Sequence, residues 1–205
     1  MWNLDLPVHI ETKHIRKSSP KINVYYPIVT KLPHPHIEKK INDEIISTLN
    51  KLLIEQGFYN ENLEEMIGQY EIKTNERGIL SLSLLVYSFT GGAHGLTLVQ
   101  SLTFDVTTGK QYSLKELFKQ DSQYVKILSE MIGKKIVEWK VPILEEFSGI
   151  RPDQDFYIAD HSLVIYFQVY EITPYVYGFP YFPIAIKDIE NIVRPDGPLD
   201  KLLPF

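Results

Sequence analysis

The chain has no cysteine, few arginines and no apolar run long enough to span a bilayer. Each shortage excludes something. Without thiols there is no disulfide scaffold, no cysteine nucleophile and no Cys-based zinc or iron site. The compartment stays open, because cytosolic and exported bacterial proteins can both lack cysteine. Only 4 of the 21 basic residues are Arg, and the formal charge is -5. That balance suits nucleic acid poorly, since clustered Arg supplies the bidentate phosphate contacts; no nucleic-acid partner is expected. A membrane helix needs ~18 apolar residues in succession, and mean hydropathy here is -0.13, so no transmembrane segment is expected. The opening Met1-Trp2-Asn3-Leu4-Asp5-Leu6-Pro7 has neither a basic n-region nor an apolar h-region. It does not read as a signal peptide. That leaves a cytoplasmic protein, or a piece cut from a longer exported one.

What is present is the composition of a folded domain, 44% apolar and 23% charged. Aromatics are plentiful, with 13 Tyr, 10 Phe and 2 Trp. Tyrosine suits half-buried strands and binding surfaces alike. Alternation predicts strands over 8–13 and 22–29, with Pro27 marking an edge or a bulge. Ile37, Ile41, Ile45, Leu49, Leu52 and Leu53 form one helical stripe that Gly57 ends. A short helix is expected over 62–67, then strands over 69–75, 79–89 and 96–106. Ser113 and Glu116 have capping-box spacing. Asp121 is placed to cap a helix whose stripe runs Val125, Leu128, Ile132, Ile136 and Trp139, and Pro142 stops that helix or starts a further turn through Phe147. Strands are expected over 156–158, 163–172 and 182–186, the middle one central because Leu163–Phe167 is apolar on both faces; Asp188 would cap a short helix. The class is α+β, antiparallel sheets with one long helix in the first half and a helix pair in the second. A break near 107–115 would give an N-terminal part, 8–106, a C-terminal part, 107–192, and a tail, 193–205, the two halves sharing one sheet system.

Four clusters have residue types suited to chemistry. Thr90-Gly91-Gly92-Ala93-His94-Gly95 lies between two strands, so its glycines serve a tight connection and not a phosphate loop. His94 reads as a neutral residue tied to a backbone carbonyl before it reads as a base. Tyr170–Phe182 holds six aromatics, two prolines and one charge. Rings stiffened by proline make a recognition surface, but they could equally complete the core. His34 and His36 have H-x-H spacing without a third ligand nearby, so no metal site is assigned. Asp153, Asp155, Asp160 and His161 read as turn and cap residues, although paired carboxylates could serve glycoside chemistry. No cofactor motif occurs.

Several of these segments together resemble a known family. Tyr87–Gly95 (YSFTGGAHG), Phe104–Lys110 (FDVTTGK), Leu114–Phe118, Phe156-Tyr157 and Tyr166–Gly178 around Tyr-Glu-Ile-Thr-Pro-Tyr are similar, in order and spacing, to a bacterial family of unknown-function domains. That family is shared by the extracytoplasmic domain of anti-sigma-V factors, which are lysozyme receptors, and the N-terminal region of a peptidoglycan deacetylase. The likeness covers roughly 8–192, the first half resembling the domain usually found upstream and the second the domain that names the family. It implies a noncatalytic, extracytoplasmic binding domain of the cell envelope, with a lysozyme-like hydrolase or a peptidoglycan fragment as partner. The implied contacts are Ser88, Phe89, Thr90 and Gly91 in the first half. In the second they are Pro174, Tyr175, Tyr177, Phe179, Pro180, Tyr181 and Phe182. Two other readings stay open: a wall-polymer hydrolase using His94 with a carboxylate such as Glu171, and a structural or oligomerising domain.

Overall fold

A computed structural model describes residues 7–204; the reading of Met1–Leu6 as no signal peptide lies outside the described residues. The chain forms two compact units that divide between Gln111 and Tyr112. The class is α+β, as the patterning indicates, but each unit has its own sheet, six-stranded in the first and three-stranded in the second. The expectation of one shared sheet system is corrected accordingly.

The first unit runs β1 (His9–Lys17), β2 (Lys21–Thr30), α1 (Pro35–Glu55), β3 (Glu65–Glu76), β4 (Ile79–Phe89), β5 (Leu96–Asp105) and β6 (Lys110–Gln111). Strand order in the sheet follows chain order. Every neighbouring pair is antiparallel except β2 and β3, which run parallel over Lys21–Val24 and Glu65–Gly68. A parallel pair needs a long crossover, and α1 supplies it. Pro27 lies beyond Val24, where β2 is paired with β1 alone, so its missing donor is tolerated. The α1 stripe is buried at each of its six expected positions. It joins Leu80, Leu82, Leu84 and Val86, alternate residues of β4, in one apolar core. The opposite face of β4 starts at buried Ile79, runs through two buried serines and ends in half-buried Leu85, Tyr87 and Phe89. There Ser81 bonds Thr103 at 2.9 Å and Ser83 bonds Ser101 at 2.8 Å, so those hydroxyls keep partners. The expected helix over 62–67 does not form. Asn60 Oδ1 accepts from the Asn62 N–H at 2.9 Å and the Asn60 carbonyl from the Leu63 N–H at 3.0 Å, a side-chain-braced turn that delivers the chain into β3.

The second unit contains a 3₁₀ turn (Leu114–Leu117), α2 (Tyr124–Glu138), β7 (Phe156–Ala159), β8 (Ser162–Tyr166), β9 (Tyr181–Ala185), a 3₁₀ run (Ile186–Ile192) and a short α3 (Pro198–Lys201). Glu116 accepts the Ser113 N–H at 2.9 Å, the predicted capping pair. Asp121 does not cap α2. Asp121 and Gln123 both have positive φ, so the helical bond pattern starts only at Tyr124. Leu128, Ile132 and Ile136 are buried, but Trp139, just past the helix end, is 44% exposed. Residues 142–147 form no helix. Sheet order is β7-β8-β9, antiparallel throughout, and Leu163–Tyr166 of central β8 are all buried. The strand expected to reach Ile172 stops at Tyr166, because Gln168 and Glu171 are claimed by a polar network with Gln154 and Asp155. Among the described residues no helix is long and apolar enough to cross a membrane.

Candidate functional site

Beyond β8 the chain makes an aromatic loop before returning as β9. Its entrance is held by one carboxylate. Glu171 Oε2 accepts the Gln168 N–H at 2.7 Å, while Oε1 accepts from Gln154 Nε2 at 3.2 Å and from the Arg151 guanidinium. Gln154, itself buried, also donates to the Tyr166 carbonyl at 3.0 Å. Gln168 Nε2 in turn donates to Asp155 Oδ2 at 2.9 Å. Burial raises the Asp155 carboxyl above its ordinary value; the Gln168 bond and the Arg151 charge oppose, while the charges of Glu171 and Asp153 push the same way as burial. Tyr170 takes a left-handed φ of 68° at this bend. The network therefore turns the chain out of the sheet and braces the loop at its root.

The loop itself is a rim of mixed exposure. Tyr175–Tyr177 make a 3₁₀ turn entered by Pro174, with Tyr177 N–H donating to the Pro174 carbonyl at 2.9 Å. Gly178 ends the turn at φ 74°, ψ -139°; a Cβ there would meet no neighbour, so backbone conformation alone demands glycine. Val176 is 92% exposed, Tyr170 51% and Tyr177 43%. Pro174, Tyr175 and Phe179 are half-buried, and Tyr170 and Tyr175 lie with ring centroids 5.5 Å apart. Tyr181 packs beside Tyr157, Tyr166 and Phe179 with one edge in solvent.

Two expected contact residues on this loop are corrected. Phe182 is 1% exposed, and Pro180 is buried with its carbonyl accepting the Phe167 N–H at 3.3 Å. Alternation on β9 explains Phe182: Phe182 and Ile184 point inward, Tyr181, Pro183 and Ala185 outward. Val176 and Tyr170 on the loop, and Trp139 beside β9, are exposed apolar residues that were not named as contacts. Pattern alone could have placed Phe182 inside, because Phe182, Ile184 and Ile186 share one parity.

In the first unit the β4–β5 connection is built on Gln56, just past the end of α1. Its Nε2 donates to the Val86 carbonyl at 2.7 Å and the Leu96 carbonyl at 3.1 Å, and its Oε1 accepts from Ser88 Oγ at 2.9 Å. Ser88 is thus buried and fastens the hairpin from within, which corrects its expected role as a contact. Phe89 is half-buried; Thr90, Gly91, Gly92, Ala93 and His94 form the exposed tip. Gly95 is required by space, since a Cβ would strike the Ser88 carbonyl and the Tyr87 ring. His94 Nδ1 donates to the Gly95 carbonyl at 3.0 Å.

The remaining polar groups do local work. His161 Nδ1 donates to the Leu202 carbonyl at 2.7 Å, Asp160 sits in the β7–β8 turn with positive φ, and Asp153 faces Arg151 at 3.6 Å. His34 and His36 lie with ring centroids 5.8 Å apart at the entry to α1. Among the described residues no three His, Cys, Asp or Glu side chains gather as metal ligands.

A sheet-and-helix unit followed by a smaller α+β unit is a fold with solved examples in bacterial proteins. A member of the DUF3298 family from Bacteroides fragilis NCTC 9343 superposes with a TM-score of 0.75 at 15% identity, covering 95% of this chain and 97% of that one. Another from Pseudomonas aeruginosa PAO1 gives 0.72 at 17% identity, covering 99% and 100%. The profile described as a protein of unknown function, DUF3298, matches residues 115–187, and the profile described as deacetylase PdaC matches 16–97. Each match falls within one unit. Anti-sigma-V factor RsiV of Bacillus subtilis (strain 168) is 30% identical over 200 residues, covering 90% of this chain and 69% of that protein. Peptidoglycan-N-acetylmuramic acid deacetylase PdaC of the same organism is 25% identical over 139 residues, 63% of this chain and 29% of the deacetylase. The chain belongs to the DUF3298 family, the bacterial family it shares with RsiV.

Proposed function

We propose that this chain is a noncatalytic, extracytoplasmic binding domain of the cell envelope whose partner is a lysozyme-like hydrolase. The first unit would be the upstream domain of the family and the second the family-naming domain. The observation that carries the reading is the solvent-facing rim of the aromatic loop, where Val176, Tyr177 and Tyr170 stand exposed on a backbone stiffened by Pro174 and braced by Glu171. Rings and branched side chains on a pre-organised turn lose little entropy on contact, which favours a recognition surface. Relationship to an anti-sigma-V factor and to a peptidoglycan deacetylase supports an envelope setting. The net charge of -5 favours encounter with a basic hydrolase. On this reading the contacts of the second unit are Tyr170, Tyr175, Val176, Tyr177, Phe179 and the outer edge of Tyr181; in the first unit, taken by itself, Phe89, Thr90 and Gly91 are the candidate contacts.

The hydrolase alternative gains no support from the side chains it needs. Both Glu171 oxygens accept structural hydrogen bonds, and His94 Nδ1 is bonded to its neighbouring carbonyl. Calorimetric titration with lysozyme tests the binding reading. Saturable heat is expected, with Tyr177→Ala weakening binding by ~1–3 kcal/mol while the melting temperature holds. No heat with the unsubstituted protein overturns the lysozyme partner, and heat with peptidoglycan fragments instead would assign a glycan.

A further inference from the structure

The second unit has another concavity, built from different residues. It is a groove of about 780 Å³ lined by the 114–117 turn, the loop leading into α2, and Arg194-Pro195. Three cations line it, Lys115, Lys119 and Arg194, in a chain whose net charge is negative. Lys119 Nζ donates to the Asn191 carbonyl at 2.7 Å. Lys115 and Arg194 are exposed, and among the described residues neither side chain has a hydrogen-bonding or ionic partner. Two acids share the groove. Glu116 is engaged by the N–H and hydroxyl of Ser113, both at 2.9 Å, and Asp121 stands exposed. The wall carries Tyr124, its ring stacked on buried Phe118 with centroids 4.9 Å apart and planes 8° apart.

The volume is in the range of pockets that take sugar-sized and drug-sized molecules. Cations without a protein partner at the rim of a concavity attract an anion more strongly than the same charges spread on a flat surface. The guanidinium fork of Arg194 matches the two oxygens of a carboxylate or phosphate. We propose that this groove binds a small ligand bearing one oxyanion, carboxylate or phosphate, with Lys115 and Arg194 as its charge partners and Tyr124 beside its less polar portion. The proposal does not depend on the lysozyme reading.

The test is titration of the whole chain at low salt with three probes: inorganic phosphate, N-acetylmuramic acid as a carboxylate-bearing sugar, and neutral N-acetylglucosamine. Lys115→Met and Arg194→Gln are compared with the unsubstituted protein, melting temperature serving as the fold control. At least one anionic probe should bind ~10-fold or more tightly than the neutral sugar, because a charge-assisted bond is lost in the comparison. Each substitution should weaken that probe several-fold, and added salt should weaken it further. Response to phosphate alone identifies phosphate as the oxyanion source, and response to the muramic acid alone identifies a carboxylate. Binding of neither anion, equal binding of the neutral sugar, or affinities unchanged in both variants overturns the proposal.

Discussion

Trp139 and Phe182 stack with ring centroids 5.9 Å apart and planes 5° apart, one ring 44% exposed and the other 1%. The pair fastens the end of α2 to β9, and Phe167 meets Phe182 edge-on at 5.9 Å. The returning arm of the aromatic loop is therefore core, while the turn at Tyr175–Tyr177 remains outside it. Phe182→Ala should destabilise the second unit by ~3–5 kcal/mol, the cost of removing a buried phenyl ring and leaving a cavity. Tyr177→Ala should stay within ~0.5 kcal/mol of the parent. Urea or thermal melts of the two variants check this contrast, and equal losses would place Tyr177 in the core.

Gln56 predicts a different kind of damage. Its amide satisfies two carbonyls and one hydroxyl at the base of the β4–β5 connection. Gln56→Leu keeps apolar bulk but leaves buried acceptors bare, at ~1–3 kcal/mol. Amide exchange should quicken in the hairpin around Ser88 and Leu96 before it quickens in β2, where α1 packing is untouched. Uniform loss of protection across the unit would contradict this local role.

Legibility in the sequence followed the range of the interactions. The α1 stripe and the full extent of β4, Ile79–Phe89, could be read because helical and strand periods are written in neighbouring residues. The helix expected at Asn62 and the cap at Asp121 were misread because short-range propensity yielded to a side-chain-braced turn and left-handed backbone. Gln56 and Gln154 look like ordinary surface residues until their partners arrive. Those of Gln56 lie 30 and 40 residues along the chain, and the Tyr166 carbonyl lies 12 from Gln154. For the candidate site, aromatic density singled out the loop, whereas the division into core rings and exposed rings needed strand parity and the position of Trp139.

Glu171 carries the bend at the start of that loop. Its carboxylate is 19% exposed, against 53% for its partner Arg151, so the pair is half in water and its charge attraction is screened. The larger consequence of Glu171→Ala is the Gln168 N–H left without its acceptor, and the Gln154 amide left with the Tyr166 carbonyl alone, for ~1–3 kcal/mol. Glu171→Gln keeps an acceptor and should recover much of that. Lysozyme titration of the Ala variant should show weaker binding with Tyr177 intact, because the rim loses its brace. Unchanged affinity would mean that the turn at Pro174 orders itself.

Asp155 gives the pH dependence. Burial disfavours its charged form, so its folded pKa lies above that of the unfolded chain. Above the folded pKa the carboxyl is ionised in both states and the burial penalty acts in full. Below the unfolded pKa it is neutral in both and the penalty is gone. Asp155→Asn removes the charge and retains an oxygen for Gln168, which now donates at 2.9 Å. The variant should therefore melt higher than the parent at pH 7 to 8. Its advantage should shrink as pH falls through the raised pKa and disappear below the ordinary aspartate value of about 3.9. A series of paired melts from pH 8 to pH 3 reads this effect as the difference between the two proteins, in which carboxylates remote from Asp155 cancel. A loss of stability at pH 7 would show that the charged bond to Gln168 and the attraction of Arg151 outweigh burial, and that the network depends on Asp155 being ionised.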